Sequence, residues 1–217
     1  QRDRGIPGRN GQLPNPDLKP ESGIGSDLGL DIRHGSRWTF GIRVFYNRIE
    51  DAIVENRVSD NPSQSQSINA GTTGAWGLEL GVKHRFNPDL EWFANYTWAG
   101  TRVENDADTD QDGSDVPFVP DYTANIGVTA YFPFDLSISA YLKMVGKYYD
   151  STSMSGRKSF GPYEIVNLTL QKGLWTDEQH RSFLKLELNN LFDDRFEMPW
   201  QFQDPGFAAF LNWQIEF

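Results

Sequence analysis

Three aspartates alternate along the segment ENDADTDQDGSDVPF: Asp108, Asp110 and Asp112 lead into Gly113, and Asp115 follows two residues later. Carboxylates at every second position ahead of a glycine form the first half of a calcium loop, in which oxygen ligands wrap a hard cation around a tight turn. The bidentate Glu that completes such a loop is missing; Val119 stands in its place, and Asp115 is the available substitute. A solvated acidic loop is the favoured reading of this half-complete pattern, so no resident cofactor is expected, and calcium is the one metal to consider as the alternative. Tyr148, Tyr149, Trp200 and Phe202 form a second set, aromatic residues in loop segments. They suit either contact with a ligand or packing among the loops.

Catalysis finds little support. Cysteine is absent, so a thiol nucleophile, a cysteine metal site and a disulfide framework are all excluded. No GxSxG segment occurs, and His34, His84 and His180 do not fall beside paired carboxylates at strand ends. The chain is not expected to be an enzyme. A formal net charge of -10 argues against a nucleic-acid partner, because nothing would neutralise the phosphates.

The elements that must position these residues show themselves by period-two alternation. Trp38, Phe40, Ile42, Val44 and Tyr46 share one face of a strand, and Arg43 lies on the other. Trp76, Leu78, Leu80 and Val82 alternate with Glu79, Lys83 and Arg85 in the same way. The pattern recurs through Trp92 to Trp98, Tyr122 to Phe132, Leu136 to Met144, Val166 to Leu170 and Leu184 to Leu188, with an earlier strand at Leu28, Leu30 and Ile32. It ends with Leu211, Trp213, Ile215 and Phe217 opposite Asn212, Gln214 and Glu216, for a total of about nine strands. In PYEIVNLTLQ the apolar phase breaks between Ile165 and Val166, which predicts a bulge.

Strand length and connector length narrow the fold class to all-β and transmembrane. The apolar segments run to about 9 to 12 residues, the length a tilted membrane-crossing strand needs and longer than the usual globular strand. Short turns at RHGS, FNPD, FPFD and TDEQHR alternate with long polar loops at 51–75, 104–121, 147–161 and 193–206. Such two-sidedness belongs to outer-membrane barrels, with turns on the periplasmic side and loops outside. Trp38, Phe86, Phe132 and Phe134 near turns, and Trp76, Trp98, Tyr122 and Tyr163 near loops, are placed for two aromatic girdles. Charge on the lipid face would cost about 2 to 4 kcal/mol per Lys or Arg at the midplane, so Arg43, Glu79, Lys83, Arg85, Lys143, Lys185 and Glu187 must face a polar interior.

Several motifs carry a resemblance to TonB-dependent outer-membrane receptors. NPDLKPE, comprising Asn15, Pro16, Asp17, Leu18, Lys19, Pro20 and Glu21, resembles the signature that opens a late barrel strand in that family. NLFDDRF, with Asn190, Leu191, Phe192 and Asp193, resembles its penultimate-strand motif, with Phe196 at the usual Tyr. Asn69, Gly71, Gly77 and Glu79 are similar to the family's Asn/Gly stretch before Gly-x-Glu, and VPFVPDYTANIG is similar to its Pro-rich approach to a descending strand. Trp213, Ile215 and Phe217 look like the C-terminal signal read by the barrel-assembly machinery.

The resemblance implies the C-terminal portion of a plugged barrel, about nine strands of a presumed 22. The plug domain and TonB box are expected upstream of residues 1–217, in a processed product or fragment. Function follows by implication: a transporter in the outer membrane of a Gram-negative bacterium, importing a scarce metal chelate, foremost a ferric siderophore, with energy from the TonB complex. Outer-membrane lipid and the protein's own plug would be its partners. Siderophores present flat aromatic surfaces, which gives Tyr148, Tyr149, Trp200 and Phe202 a use. Cobalamin is the nearest alternative cargo, and NPDL departs from the NPNL typical of the family's haem receptors. A passive porin-like barrel is the main alternative, and a secreted carbohydrate-binding β-sandwich a more distant one.

Overall fold

The computed structural model describes residues 11–60, 62–69, 71–176, 180–199, 202 and 205–216. The strands are β1 (Gly11–Leu13), β2 (Ser22–His34), β3 (Trp38–Glu50), β4 (Ile53–Asp60), β5 (Ser63–Asn69), β6 (Gly71–Asn87) and β7 (Leu90–Asn105). They continue as β8 (Tyr122–Phe132), β9 (Leu136–Val145), β10 (Tyr148–Tyr149), β11 (Ser159–Phe160), β12 (Tyr163–Thr176), β13 (Arg181–Asn189) and β14 (Ala208–Glu216). Among the described residues no helix is long and apolar enough to cross a membrane.

Nine strands form one antiparallel meander in the order β14-β13-β12-β9-β8-β7-β6-β3-β2, the number the alternation predicts. Its register aligns apolar residues with apolar residues. Leu28 lies opposite Val44, Val44 opposite Leu78, Leu78 opposite Trp98 and Trp98 opposite Tyr122, a single row across five strands. The adjoining row, Gly29, Arg43, Glu79, Thr97 and Thr123, points to the other face. A one-residue slip would exchange the two rows, so both faces fix the register.

The outer row is bare. Leu28 is 75% exposed, Leu211 66% and Trp213 63%. Apolar surface left in water costs about 25 cal/mol per Å², so a face built this way is stable only against lipid. Where a cation occurs on it, the side chain leans to the rim: Lys172 pairs with Leu136 and Leu184, and its ammonium donates to the Phe134 carbonyl at a short turn. Beside the turns, Trp38 stacks on His84 at 3.8 Å, Phe86 meets the same imidazole edge-on at 4.4 Å, and Trp92 Nε1 donates to His84 Nδ1 at 3.2 Å. Near the loops Tyr96 stacks on Tyr122 at 6.1 Å. These are the two aromatic bands.

Three expectations need correction. Residues 51–75 are not an irregular loop: β4 and β5 pair as an antiparallel hairpin that β1 extends in parallel, and β6 begins at Gly71. β6 and β7 are 17 and 16 residues long, more than the roughly 10 a crossing needs, and their extra length carries the hairpin beyond the lipid-facing rows. The phase break at Ile165 and Val166 is not a bulge either. Pairing of β12 with β9 runs unbroken from Tyr163 opposite Val145 to Lys172 opposite Leu136, and the irregularity falls between Gly173 and Trp175.

Tyr163 is the third correction, and it explains the second. It shares the inner face with Val145, joins the buried cluster of Val145, Tyr148 and Phe160, and stacks on Phe196 at 4.0 Å. It is thus not a girdle residue. The strand stays regular, and the apolar side chain changes face because loop residues cover the inner wall there.

Candidate functional site

Two of the sequence motifs meet at the loop end of the sheet. Asn69, at the end of β5, accepts the Lys19 amide on Oδ1 at 2.7 Å, and its Nδ2 donates to the carbonyls of Lys19 at 2.9 Å and Asp51 at 2.8 Å. Asn15 Nδ2 donates to the Ser67 carbonyl at 3.0 Å, its Oδ1 receives the Asp17 amide at 3.0 Å, and Glu21 receives the Ile53 amide at 2.7 Å. Pro16 and Pro20 bring no N–H that would need a partner, and Leu18 is exposed. NPDLKPE is accordingly a strap that fastens the hairpin to the top of β2. Asn69, not the strap itself, carries the most bonds.

NLFDDRF works in the same manner on the far side. Asn190, in the left-handed region at φ 50°, donates its amide to Asn167 Oδ1 at 3.1 Å and closes a turn through Nδ2 to the Asp194 carbonyl and Oδ1 from the Asp194 amide. Leu191 N donates to the Val166 carbonyl at 2.8 Å, while Phe192 stays exposed. Asp193 receives the Phe207 amide at 2.8 Å and Arg195 at 3.0 Å, which together hold its carboxyl below the ordinary range. These bonds place the start of β14.

The acidic segment between β7 and β8 is tied to the segment between β9 and β12. Asp108 receives the Asp110 amide at 2.9 Å and Gln111 Nε2 at 2.9 Å, closing its own turn, and Asp112 receives the Asn105 amide at 3.2 Å. Asp110 receives Ser153 Oγ at 2.6 Å and the Ser155 amide at 2.9 Å, and its carbonyl takes the Met154 amide at 2.7 Å. The serine bonds hold its carboxyl below the usual aspartate range. Asp115 binds Arg157 at 2.9 Å. All four candidate calcium ligands therefore have protein partners. Among the described residues, no group of three or more His, Cys, Asp or Glu side chains is arranged to hold a metal ion.

The aromatic candidates separate. Tyr148 is buried and stacks on Phe160 at 5.7 Å, so it packs between loops. Tyr149 lies between two cations, Arg157 at 3.7 Å and Lys147 at 4.6 Å from its ring centre. Phe202 is exposed and meets Phe118 edge-on at 6.2 Å. Trp200 lies outside the described residues. Phe118 is a residue that sequence reasoning missed: it is exposed and sits at φ 61°, a conformation a bulky side chain adopts only when held, and its amide donates to the Tyr149 carbonyl at 2.8 Å. The prolines on either side, Pro117 and Pro120, were the available signal of a constrained turn.

Below the loops the inner wall is polar. Glu91, nearly buried, receives Lys83 at 2.9 Å, Arg85 at 3.3 Å and the Tyr131 hydroxyl at 3.2 Å. The sequence marked Lys83 and Arg85 as inward; the hairpin register around FNPD, which sets Arg85 opposite Glu91, would have supplied their partner. Lys185 pairs with Glu187 at 2.8 Å, and Asn212 donates to Glu187 at 3.0 Å. A hollow of about 630 Å³ opens on this wall among Asp27, Asp31, Arg43 and Glu79, floored by Gly41 and Gly81. A second, of about 490 Å³ at the loop end, lies among Glu50, Asp51, Glu104, Asp106, Asn69 and Thr72. The outer face has an apolar furrow of about 610 Å³ along Phe40, Leu80, Ala94, Tyr96 and Ala124; without polar groups to orient a ligand it suits acyl chains.

At the sheet's edge Trp213 sits on the outer face and donates Nε1 to Ser182 Oγ at 2.9 Å, with Ile215 opposite Ser182. Phe217 lies outside the described residues.

Known structures share this architecture. The ferric yersiniabactin uptake receptor FyuA from Yersinia pestis is 25% identical, with a TM-score of 0.62 over 88% of this chain and 28% of that one. The FrpB iron transporter from Neisseria meningitidis matches at 16% identity and TM-score 0.69, over 96% of this chain and 33% of that one. The ferric enterobactin receptor PfeA from Pseudomonas aeruginosa, a G324V mutant, matches at 23% and 0.65, over 85% and 27%. The chain thus spans about a third or less of the length of these proteins. No curated protein sequence matches it. The family model described as TonB dependent receptor-like, beta-barrel, matches residues 3–191. With the nine-stranded meander, the bare apolar face and the polar inner wall, that match establishes that the chain belongs to the TonB-dependent receptor family, within its β-barrel.

Proposed function

We propose that this chain supplies nine strands of an outer-membrane receptor that captures a ferric siderophore at its extracellular loops and passes it inward under TonB control. The short turns would then face the periplasm, and the polar wall would face the protein's own plug domain within a barrel of about 22 strands. The observation that carries the reading is the loop end itself. Two segments from different hairpins are fastened into one lobe through Asp110, Asp115 and Arg157, and exposed rings project from the loops beside it. A passive pore gains nothing from such a lobe, whereas a receptor needs a preorganised surface for its ligand. The ferric yersiniabactin uptake receptor among the similar structures supports the same cargo class.

Growth of a strain that lacks the intact receptor, fed single ferric siderophores and complemented with the full-length gene, tests this directly. Restored growth on at least one siderophore, abolished by deleting the strain's TonB, is the expected result. Uptake that persists without TonB would show a passive barrel instead.

A further inference from the structure

Charge is distributed unequally among the segments at the loop end of the sheet. Residues 104–121 carry seven carboxylates and neither Lys nor Arg, and residues 190–207 carry four carboxylates against one Arg. Only the segment 146–162 runs the other way, with Lys147, Arg157 and Lys158 against Asp150. Those cations are already engaged. Arg157 binds Asp115 at 2.9 Å and lies on Tyr149, Lys158 pairs with Glu197, and Lys147 lies over the Tyr149 ring. Arg195 pairs with Asp193 at 3.0 Å, and Arg102 faces Glu104 at 3.9 Å. Capturing a polyanion takes free guanidinium or ammonium groups in a desolvated setting. Among the described cations of this lobe Arg157 is the shielded one, and it is committed to Asp115 and Tyr149.

Among the described residues of these segments, three phenylalanine rings also stand open to a ligand. Phe118, Phe192 and Phe202 are 52%, 66% and 55% exposed, and the first two belong to different loops, with Phe202 joined to Phe118. Phenylalanine rings offer a face and an edge and no hydrogen-bond donor. A trianionic chelate brought to these rings would meet loop segments whose carboxylates outnumber their cations, with the repulsion screened only over about 8 Å at physiological salt. An uncharged chelate with an apolar shell would meet no such cost.

From these two features, which build on the receptor reading above, we infer that the chelate accepted by this loop lobe carries no net negative charge: the substrate class is an uncharged or cationic ferric complex of the tris-hydroxamate kind, and ferric tris-catecholates are rejected. Selection works by charge, and the rings supply contact.

The purified full-length receptor in detergent decides the matter through equilibrium binding of a ferric tris-hydroxamate and a ferric tris-catecholate. The tris-hydroxamate is expected to bind at least about 10-fold tighter, and the preference to narrow in high salt, where the repulsion is screened. In the double variant Phe118→Ala/Phe202→Ala, tris-hydroxamate binding should weaken about 10-fold with the barrel still folded by heat-modifiable gel mobility. In Glu104→Gln/Asp106→Asn, the catecholate should gain severalfold while the hydroxamate stays level. A tris-catecholate that binds as tightly as the hydroxamate overturns the inference and leaves the receptor reading standing. Absence of binding and uptake for every ferric chelate overturns the receptor reading, and the inference with it.

Discussion

Two ties hold the loop end, and they are made of opposite materials. At the β4–β5 hairpin a single uncharged amide, Asn69, bonds three backbone groups of two other segments. Between residues 104–121 and 146–162 the bonds run through ionised groups, Asp110 and the Asp115–Arg157 pair. The Asn69 bonds involve no titrating group and depend little on salt. The second can be loosened by protonation. The Asn69 tie is thus indifferent to protonation, while the acidic lobe loses part of its fastening when its carboxylates are protonated and keeps its backbone bonds, Met154 N to the Asp110 carbonyl and Phe118 N to the Tyr149 carbonyl.

Removing Asn69 should expose the contrast most strongly. Asn69→Ala leaves the Lys19 amide and two carbonyls without their partner, a loss of about 1 to 3 kcal/mol when such groups stay shielded from water. Faster hydrogen exchange at Lys19 and along β4 and β5 in the full-length receptor is the expected result, with residues 104–121 unchanged. Asn69→Asp keeps the acceptor for Lys19 and loses both donations, so it should fall between. Equal exchange in wild type and Asn69→Ala would mean that NPDLKPE is not held through this residue.

Arg157 is the matching test of the lobe. Its side chain is 13% exposed, binds Asp115 at 2.9 Å and covers Tyr149 at 3.7 Å. Arg157→Ala removes a charge-assisted bond and a cation–π contact, for a cost of about 1 to 2 kcal/mol after allowing for the half-exposed carboxylate. Proteolytic nicking within 146–162 should accelerate in that variant and the hairpin should stay resistant. Arg157→Lys keeps the charge and loses the planar stacking, so a partial rescue is expected.

Acid should separate the two ties without any mutation. The Ser153 hydroxyl and the Ser155 groups hold the Asp110 carboxyl below its ordinary value, so the folded pKa is depressed. A depressed carboxylate contributes its full stability above the unfolded value of about 3.9 and loses it as pH falls through the folded one. Protection factors at Met154 and Ser155, corrected for the intrinsic pH dependence of amide exchange, should therefore be flat from neutral pH to about pH 5 and fall below about pH 4, while those at the Asn69 tie show no such fall. Asp110→Asn should remove the pH step. A step of equal size in that variant would assign it to another group.

Where sequence succeeded and where it failed divides along similar lines. The spanning strands were legible because lipid and the polar interior each impose a period of two, and the apolar residues of the outer row, from Leu28 to Trp213, answer to one solvent. Loop residues answer to partners remote in sequence. For Asp110, local spacing could not show that each carboxylate oxygen receives a bond from a remote serine, Ser153 or Ser155. Tyr163 broke the alternation because Phe196, contributed by another loop, covers it. Motifs were visible as motifs, yet the bond that gives NPDLKPE its purpose comes from Asn69, 50 residues away from Lys19.

Lys158 and Glu197 provide the smallest effect and the control for the rest. Their pairing joins 146–162 to the segment before β14, and both side chains are more than half exposed, at 55% and 64%. Solvent and salt screen such a pair, and holding two long side chains in place costs entropy, so its net value is at most about 0.5 kcal/mol. Lys158→Ala should leave nicking of 146–162 within error of wild type, in contrast with Arg157→Ala one residue earlier. If the two variants opened the lobe equally, then charge number rather than burial would govern its stability. The distinction drawn between the Asp115–Arg157 tie and the exposed contacts around it would then be lost.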